Sequence, residues 1–226
     1  MDPNSLLRFL IGILFLSIAS YQDIKKREVN TIIFLLMGLL GVFLMFLEFR
    51  LDIGIFIALI IFIISFFNIK KMDHILNIFL LIILILYLYY GGNKIIFVDS
   101  ILLLIFKYLY YSGLLMGGAD TKAMMAITLL IPYYPVTFTG LDIRTQIVSI
   151  IFPYPIEVLF YSVILNALIY MPYLYHFNKK NGFIKMPEML TGIFKNGKWV
   201  KYETPFIFSI TLSFIISYNF SLFYIF

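Results

Sequence analysis

The chain has 226 residues, of which 62% are hydrophobic and 13% charged, with a formal net charge of +5. A soluble domain carries about 25% charged residues, so a water-facing surface is excluded and a membrane-embedded helical protein is the class that fits. There is no cysteine, which excludes disulfides, thiolate catalysis and Cys-ligated metals, and the only histidines are His74 and His176.

The apolar runs are continuous and do not alternate, which argues for helices and against a transmembrane barrel. Eight apolar segments follow in order, near 5–22, 29–49, 52–68, 74–90, 95–116, 120–132, 154–176 and 205–225. About 20 residues cross a hydrocarbon core of about 30 Å. The first segment has a charge-poor start and no small-x-small cleavage site, so it reads as a retained span and not a signal peptide. The sixth is short; it is either a partial span or continues past Pro132. The expected fold is all-α: a polytopic transmembrane bundle forming a single membrane-embedded domain over 1–226.

Lysine and arginine set the orientation. If the segments alternate, one side collects Lys25, Lys26, Arg27, Lys70, Lys71, Lys122 and the six lysines of 177–204, while the other holds Arg50, Lys94 and Arg144, with Arg8 near the first helix start. The rich side is expected to be cytoplasmic and both termini to lie outside. The positive charge therefore reads as cytoplasmic lysine and not as a nucleic-acid footprint.

Two acidic residues then fall on one side at similar depth. Asp23, in SYQDIKKREVN, stands where the first span leaves the membrane. Asp120, in MGGADTK, stands between the fifth and sixth segments. Ser17, Ala19 and Ser20 offer a small-residue surface for close helix approach. Asp120 is either an N-cap for a helix beginning at Thr121 or an intramembrane acid facing the bundle interior. Gly117 and Gly118 allow unusual backbone conformations and close approach of another chain. Lys122 is either a positive-inside anchor or a cation that favours the ionised carboxylate. Two adjacent carboxylates do not both ionise easily and share one proton. The charged member takes a proton from water while the protonated member polarises a peptide carbonyl.

Other chemistries find less support. There is no H-E-x-x-H, no G-x-S-x-G, no phosphate-binding glycine loop and no acidic cluster for a divalent metal, so no metal or cofactor is expected. Lys107, mid-segment, reads as a snorkelling or bundle-interior residue. Asn166 reads as interhelical glue, and Trp199 with the tyrosines as interface residues. The loop 133–153 is expected to lie along the interface. The loop 177–204 forms a small cytoplasmic subdomain in which PEML opens a short helix and Asn196-Gly197 turns a hairpin.

S-x-x-D-x-K at 20–25, with Asn30 and a new span after it, resembles the first catalytic region of the type IV prepilin peptidases. GGADTK at 117–122 resembles their second, G-x-G-D-x-K, with Ala119 where the strict motif has glycine. The resemblance is to the archaeal branch, which processes preflagellins (archaellins) and pilin-like proteins, within the GxGD intramembrane aspartyl proteases that include presenilin. It implies Asp23 and Asp120 as the catalytic pair, Gly117 and Lys122 as motif residues, and precursor pilin-like or archaellin substrates. Short basic leaders would be removed at the cytoplasmic face of the cell membrane. The cysteine zinc domain of many bacterial members is missing, and the stretch between the aspartates is longer than in a six-span member. The rival expectations are a small transporter or channel using Asp23, Asp120 and Lys107 as an ion relay, and a non-catalytic membrane subunit of a pilus or secretion assembly.

Overall fold

The computed structural model describes residues 3–49, 52–67, 74–114, 117–134, 143–180, 192–195, 198–201 and 204–220. Among the described residues the fold is all-helical apart from one hairpin. In chain order the elements are α1 (Pro3–Lys26), α2 (Ile32–Phe49), α3 (Ile53–Phe67), α4 (His74–Tyr89), α5 (Lys94–Tyr111), α6 (Gly118–Leu130), α7 (Ile143–Ile151), α8 (Tyr154–Lys180), β1 (Gly192–Lys195), β2 (Lys198–Lys201) and α9 (Phe206–Asn219). Three stretches, Asn4–Lys26, Ile32–Phe49 and Tyr154–Lys179, are long and apolar enough to cross a membrane, and 53–67, 74–89 and 206–219 are shorter apolar helices.

Each of the eight apolar segments contains a helix. The loop 133–153 departs from expectation, because its described residues hold a further helix, α7. Thr145 and Ser149 of α7 are buried, and the Ser149 hydroxyl accepts a hydrogen bond from the Tyr134 backbone N–H at 3.2 Å. The hairpin is antiparallel with Lys195 opposite Lys198, and Asn178 near the end of α8 donates to the Gly192 carbonyl at 2.8 Å. The Asn196-Gly197 turn, the PEML segment, Lys70, Lys71 and Arg50 lie outside the described residues.

Helix α6 is the centre of the bundle. It packs against α1, α2, α3, α5, α8 and α9, and from Thr121 to Leu130 every side chain but Lys122 is buried. A helix apolar all round is a core helix. That explains the short sixth segment: enclosed by protein, it has no bilayer thickness to match. α2 lies closest to it, burying Phe34, Met37, Gly38, Gly41, Val42 and Met45 along one stripe. At Gly41 a Cβ would stand 2.6 Å from the Leu129 backbone carbonyl, so the two main chains meet where only hydrogen fits. α4 buries only Leu80 and Leu84 and is peripheral.

The end of the bundle holding the C-terminus of α6 is closed by polar contacts. Arg8 donates to the Leu130 carbonyl at 2.6 Å and pairs with Glu48 at 2.8 Å. Tyr133 donates to the other Glu48 oxygen, and Arg8 also attracts the buried Asp99 of α5. Nearby in the chain topology, Asp52 accepts from Tyr87 at 2.8 Å, and the Tyr87 hydroxyl accepts from the Asn93 N–H at 2.7 Å. That chain ties the α2–α3 turn to the α4–α5 turn, so both lie at one end. Four helices, α2 to α5, separate Asp23 from Asp120, and the even number returns the second carboxylate to the end of the first.

The α2–α6 contact yields a direct test. Gly41→Ala should lower stability by about 1–3 kcal/mol, the cost of overpacking a tight site, because the added methyl meets main chain that has no alternative rotamer. The thermal unfolding midpoint in detergent should fall accordingly, and an unchanged midpoint would mean that the helices are farther apart.

Candidate functional site

Asp23 is placed by the buried stripe of α1. Ser5, Arg8, Leu16, Ala19 and Ser20 are all buried, at helical spacings that bring position 23 onto the same face. Ser17 is exposed, so the close-packing surface is made by Ala19 and Ser20 without it. Thr211 of α9 donates to the Leu16 carbonyl at 3.3 Å, and Phe9 stacks on Tyr218, which holds α9 along this face. The helix ends three residues beyond Asp23, at Lys26. Arg27 takes a left-handed conformation (φ 57°) and its N–H bonds the Asp23 carbonyl at 3.0 Å, an ending usually left to glycine.

The Asp23 carboxylate accepts a hydrogen bond from the Ile207 backbone N–H at 3.2 Å, across 184 positions of sequence. Ile207 is in the first turn of α9, whose N-cap position is Pro205 with no side-chain cap. The first-turn N–H groups of a helix have no partner within it, so Asp23 caps α9 from a distant helix. The Arg27 guanidinium adds an attractive charge. Neither partner is visible in the sequence motif.

Asp120 is placed differently from expectation. Helix α6 begins at Gly118 with Gly117 as its N-cap residue, not at Thr121, so Asp120 is the third helical residue and not the N-cap. Its carboxylate reaches back to accept from the Gly117 N–H, which is half of a capping box. Thr121 completes the turn by donating its N–H and hydroxyl to the Gly117 carbonyl at 3.2 and 3.1 Å.

The two glycines therefore have distinct roles. Gly117 has an ordinary extended backbone (φ −100°), and it is glycine for room, since a Cβ there would collide with the Asp120 carboxylate. At Gly118 a Cβ would meet only Tyr110, at 3.7 Å, an ordinary contact. Lys122 extends toward α3, its ammonium 4.5 Å from the Phe66 ring centroid, a cation–π contact.

The structure places the two carboxylates at the same end of the bundle, where the negative charge of Asp23 acts on Asp120. Both are partly buried, at the meeting of the C-terminus of α1 with the N-termini of α6 and α9. Lys107 is fully inside the bundle, 1% exposed, which removes the snorkelling alternative. Asn166 accepts from Ser209 at 3.4 Å, linking α8 to α9 as expected of a mid-helix amide. No protein-family model matches the chain, and no curated protein matches it.

The glycine pair makes a prediction of opposite signs. Gly117→Ala should destabilise by about 1 kcal/mol, the value of a lost helix cap, because the methyl displaces Asp120 from the N–H. Gly118→Ala should be neutral or stabilising by up to about 1 kcal/mol, from helix propensity. Thermal unfolding of the two variants checks this, and equal shifts in the same direction would contradict the assignment.

Proposed function

We propose that the chain is a membrane aspartic endopeptidase that removes short leader peptides from pilin-like or archaellin precursors at the cytoplasmic face of the cell membrane. The observation that carries this reading is that Asp23 and Asp120 lie at one end of the bundle, near enough for the charge on Asp23 to act on Asp120. Two neighbouring carboxylates do not both ionise easily, and such a pair activates water with one member and the scissile carbonyl with the other. The motif resemblance at 20–25 and 117–122 supports the substrate class. The lysine asymmetry supports about eight spans, termini outside, and a dyad at the cytoplasmic end near Lys25, Lys26 and Arg27. The buried Asp99 and Lys107 of α5 keep an ion-relay reading as the alternative, and a cleavage assay separates the two.

Asp23→Asn and Asp120→Asn should each reduce leader cleavage by the purified protein at least about a hundredfold, the scale of general acid–base catalysis. Each amide oxygen still accepts the N–H of Ile207 or Gly117, so both variants should keep the wild-type melting behaviour. Glu28→Gln, at an exposed position, should leave cleavage unchanged. A folded dyad variant retaining most of its activity ends the peptidase reading.

The orientation has its own test, using exposed positions of this cysteine-free chain. Single thiols in Lys26→Cys and Ser112→Cys should react with a membrane-impermeant reagent only from the cytoplasmic side, and Tyr90→Cys only from outside. Labelling of positions 26 and 112 from opposite sides contradicts the arrangement.

A further inference from the structure

We infer that the first turn of α9 is a positioning element that, together with Arg27, holds the charge on Asp23, making Asp23 the general base and Asp120 the protonated general acid. The inference rests on the peptidase reading for its chemistry and on the Ile207–Asp23 hydrogen bond for its geometry.

Both carboxylates accept a backbone N–H in a helix first turn, and what differs between them is the neighbouring charge. Asp23 accepts a hydrogen bond from Ile207 at 3.2 Å, at the N-terminus of a 14-residue helix whose first turn holds no acidic side chain. A helix N-terminus favours a negative charge, and a hydrogen bond to a carboxylate favours its ionised form. Arg27, just past the end of α1, adds a positive charge that acts on Asp23. Asp120 has the Gly117 N–H of its own turn and faces the negative charge of Asp23. α2, which also packs on α1, has Glu48 as its one charged residue, at the opposite end of the bundle. With one proton between the two groups, it resides on Asp120.

The step balances as follows. Asp23 takes a proton from water as the water oxygen bonds the carbonyl carbon, and Asp120 gives its proton to the carbonyl oxygen. On collapse the C–N bond breaks, the leaving amine receives the proton from Asp23, and the proton on the former carbonyl oxygen returns to Asp120. The products are a carboxylic acid and an amine, with both side chains restored. Ile207 touches no substrate in this scheme and acts through Asp23 alone.

The test removes one N–H. In the full-length protein, replacing Ile207 by its α-hydroxy analogue exchanges the backbone N–H for an ester oxygen and keeps the side chain. Ile207→Pro removes the same N–H by ordinary mutagenesis, while Ile207→Val keeps it and trims the packing. The acid limb of the kcat/KM–pH profile should move to higher pH by about one unit in the ester and proline forms, a charge-assisted hydrogen bond being worth about that much. The limb should stay in place for Ile207→Val. A second readout needs no activity. In an Asp120→Asn background, the infrared carboxylate band of Asp23 should titrate about one pH unit higher in the ester form. An unmoved band, or an equal shift in Ile207→Val, overturns the inference. Absence of cleavage by the unaltered protein overturns the peptidase reading, while the infrared titration still decides whether Ile207 holds the charge on Asp23.

Discussion

Helix α6 is enclosed by protein, so the N–H groups at its start and the carbonyls at its end must find partners inside the bundle. Much of the polar chemistry follows from that constraint. At the C-terminus, the Leu130 carbonyl is met by Arg8, a cation 2% exposed. A cation so buried must itself be paired, and Glu48 and Asp99 answer it. At the N-terminus, the Gly117 N–H is met by Asp120, which leaves a carboxylate at a helix junction beside Asp23. The two ends of one helix thus hold an Arg8–Glu48 ion pair and a pair of carboxyl groups. The first is matched in charge. The second is not, and perturbed groups of that kind cluster at functional sites.

The arrangement explains why the aspartates are held by main chain more than by side chains. Asp23 takes the Ile207 N–H and Asp120 takes the Gly117 N–H. Backbone donors in helix first turns are fixed by the helices themselves, so the carboxylates are oriented without the entropy cost of ordering long partners. Gly117 is part of the same device, because the absence of a Cβ lets the carboxylate lie against the main chain.

Much of this was legible in the sequence, and the limits have physical causes. The apolar segments located eight helices, and their even count between positions 23 and 120 returned both acids to one end. Helical spacing from Ser5 to Ser20 brings Asp23 onto the buried stripe, although Ser17 turns outward. The start of α6 was misplaced because Gly-Gly-Ala reads as loop by propensity, whereas enclosure by neighbouring helices makes it helical. The short helix α7 was missed because Pro and aromatic residues surround it in the loop 133–153. Ile207 could not be found at all. A backbone N–H carries no residue-specific signal, and its contact with Asp23 exists only because α1 and α9 lie side by side. Lys122, read as an anchor or as a partner of Asp120, extends to the ring of Phe66, a contact that nothing in its neighbourhood of sequence announces.

The unequal lengths of the outer helices have a mechanical consequence. α1 and α8, with 24 and 27 residues, reach about 36 and 40 Å at 1.5 Å per residue. α3, α4 and α9, with 15, 16 and 14, reach only about 21–24 Å. A hydrocarbon layer of about 30 Å is too thin for the first group and too thick for the second, and such mismatch is relieved by tilting long helices and pinching the lipid around short ones. Set in such a layer, these helices would present a girdle of uneven height, and acyl chain length would act on them as a force. α9 belongs to the short group, and its first turn carries the N–H that holds Asp23.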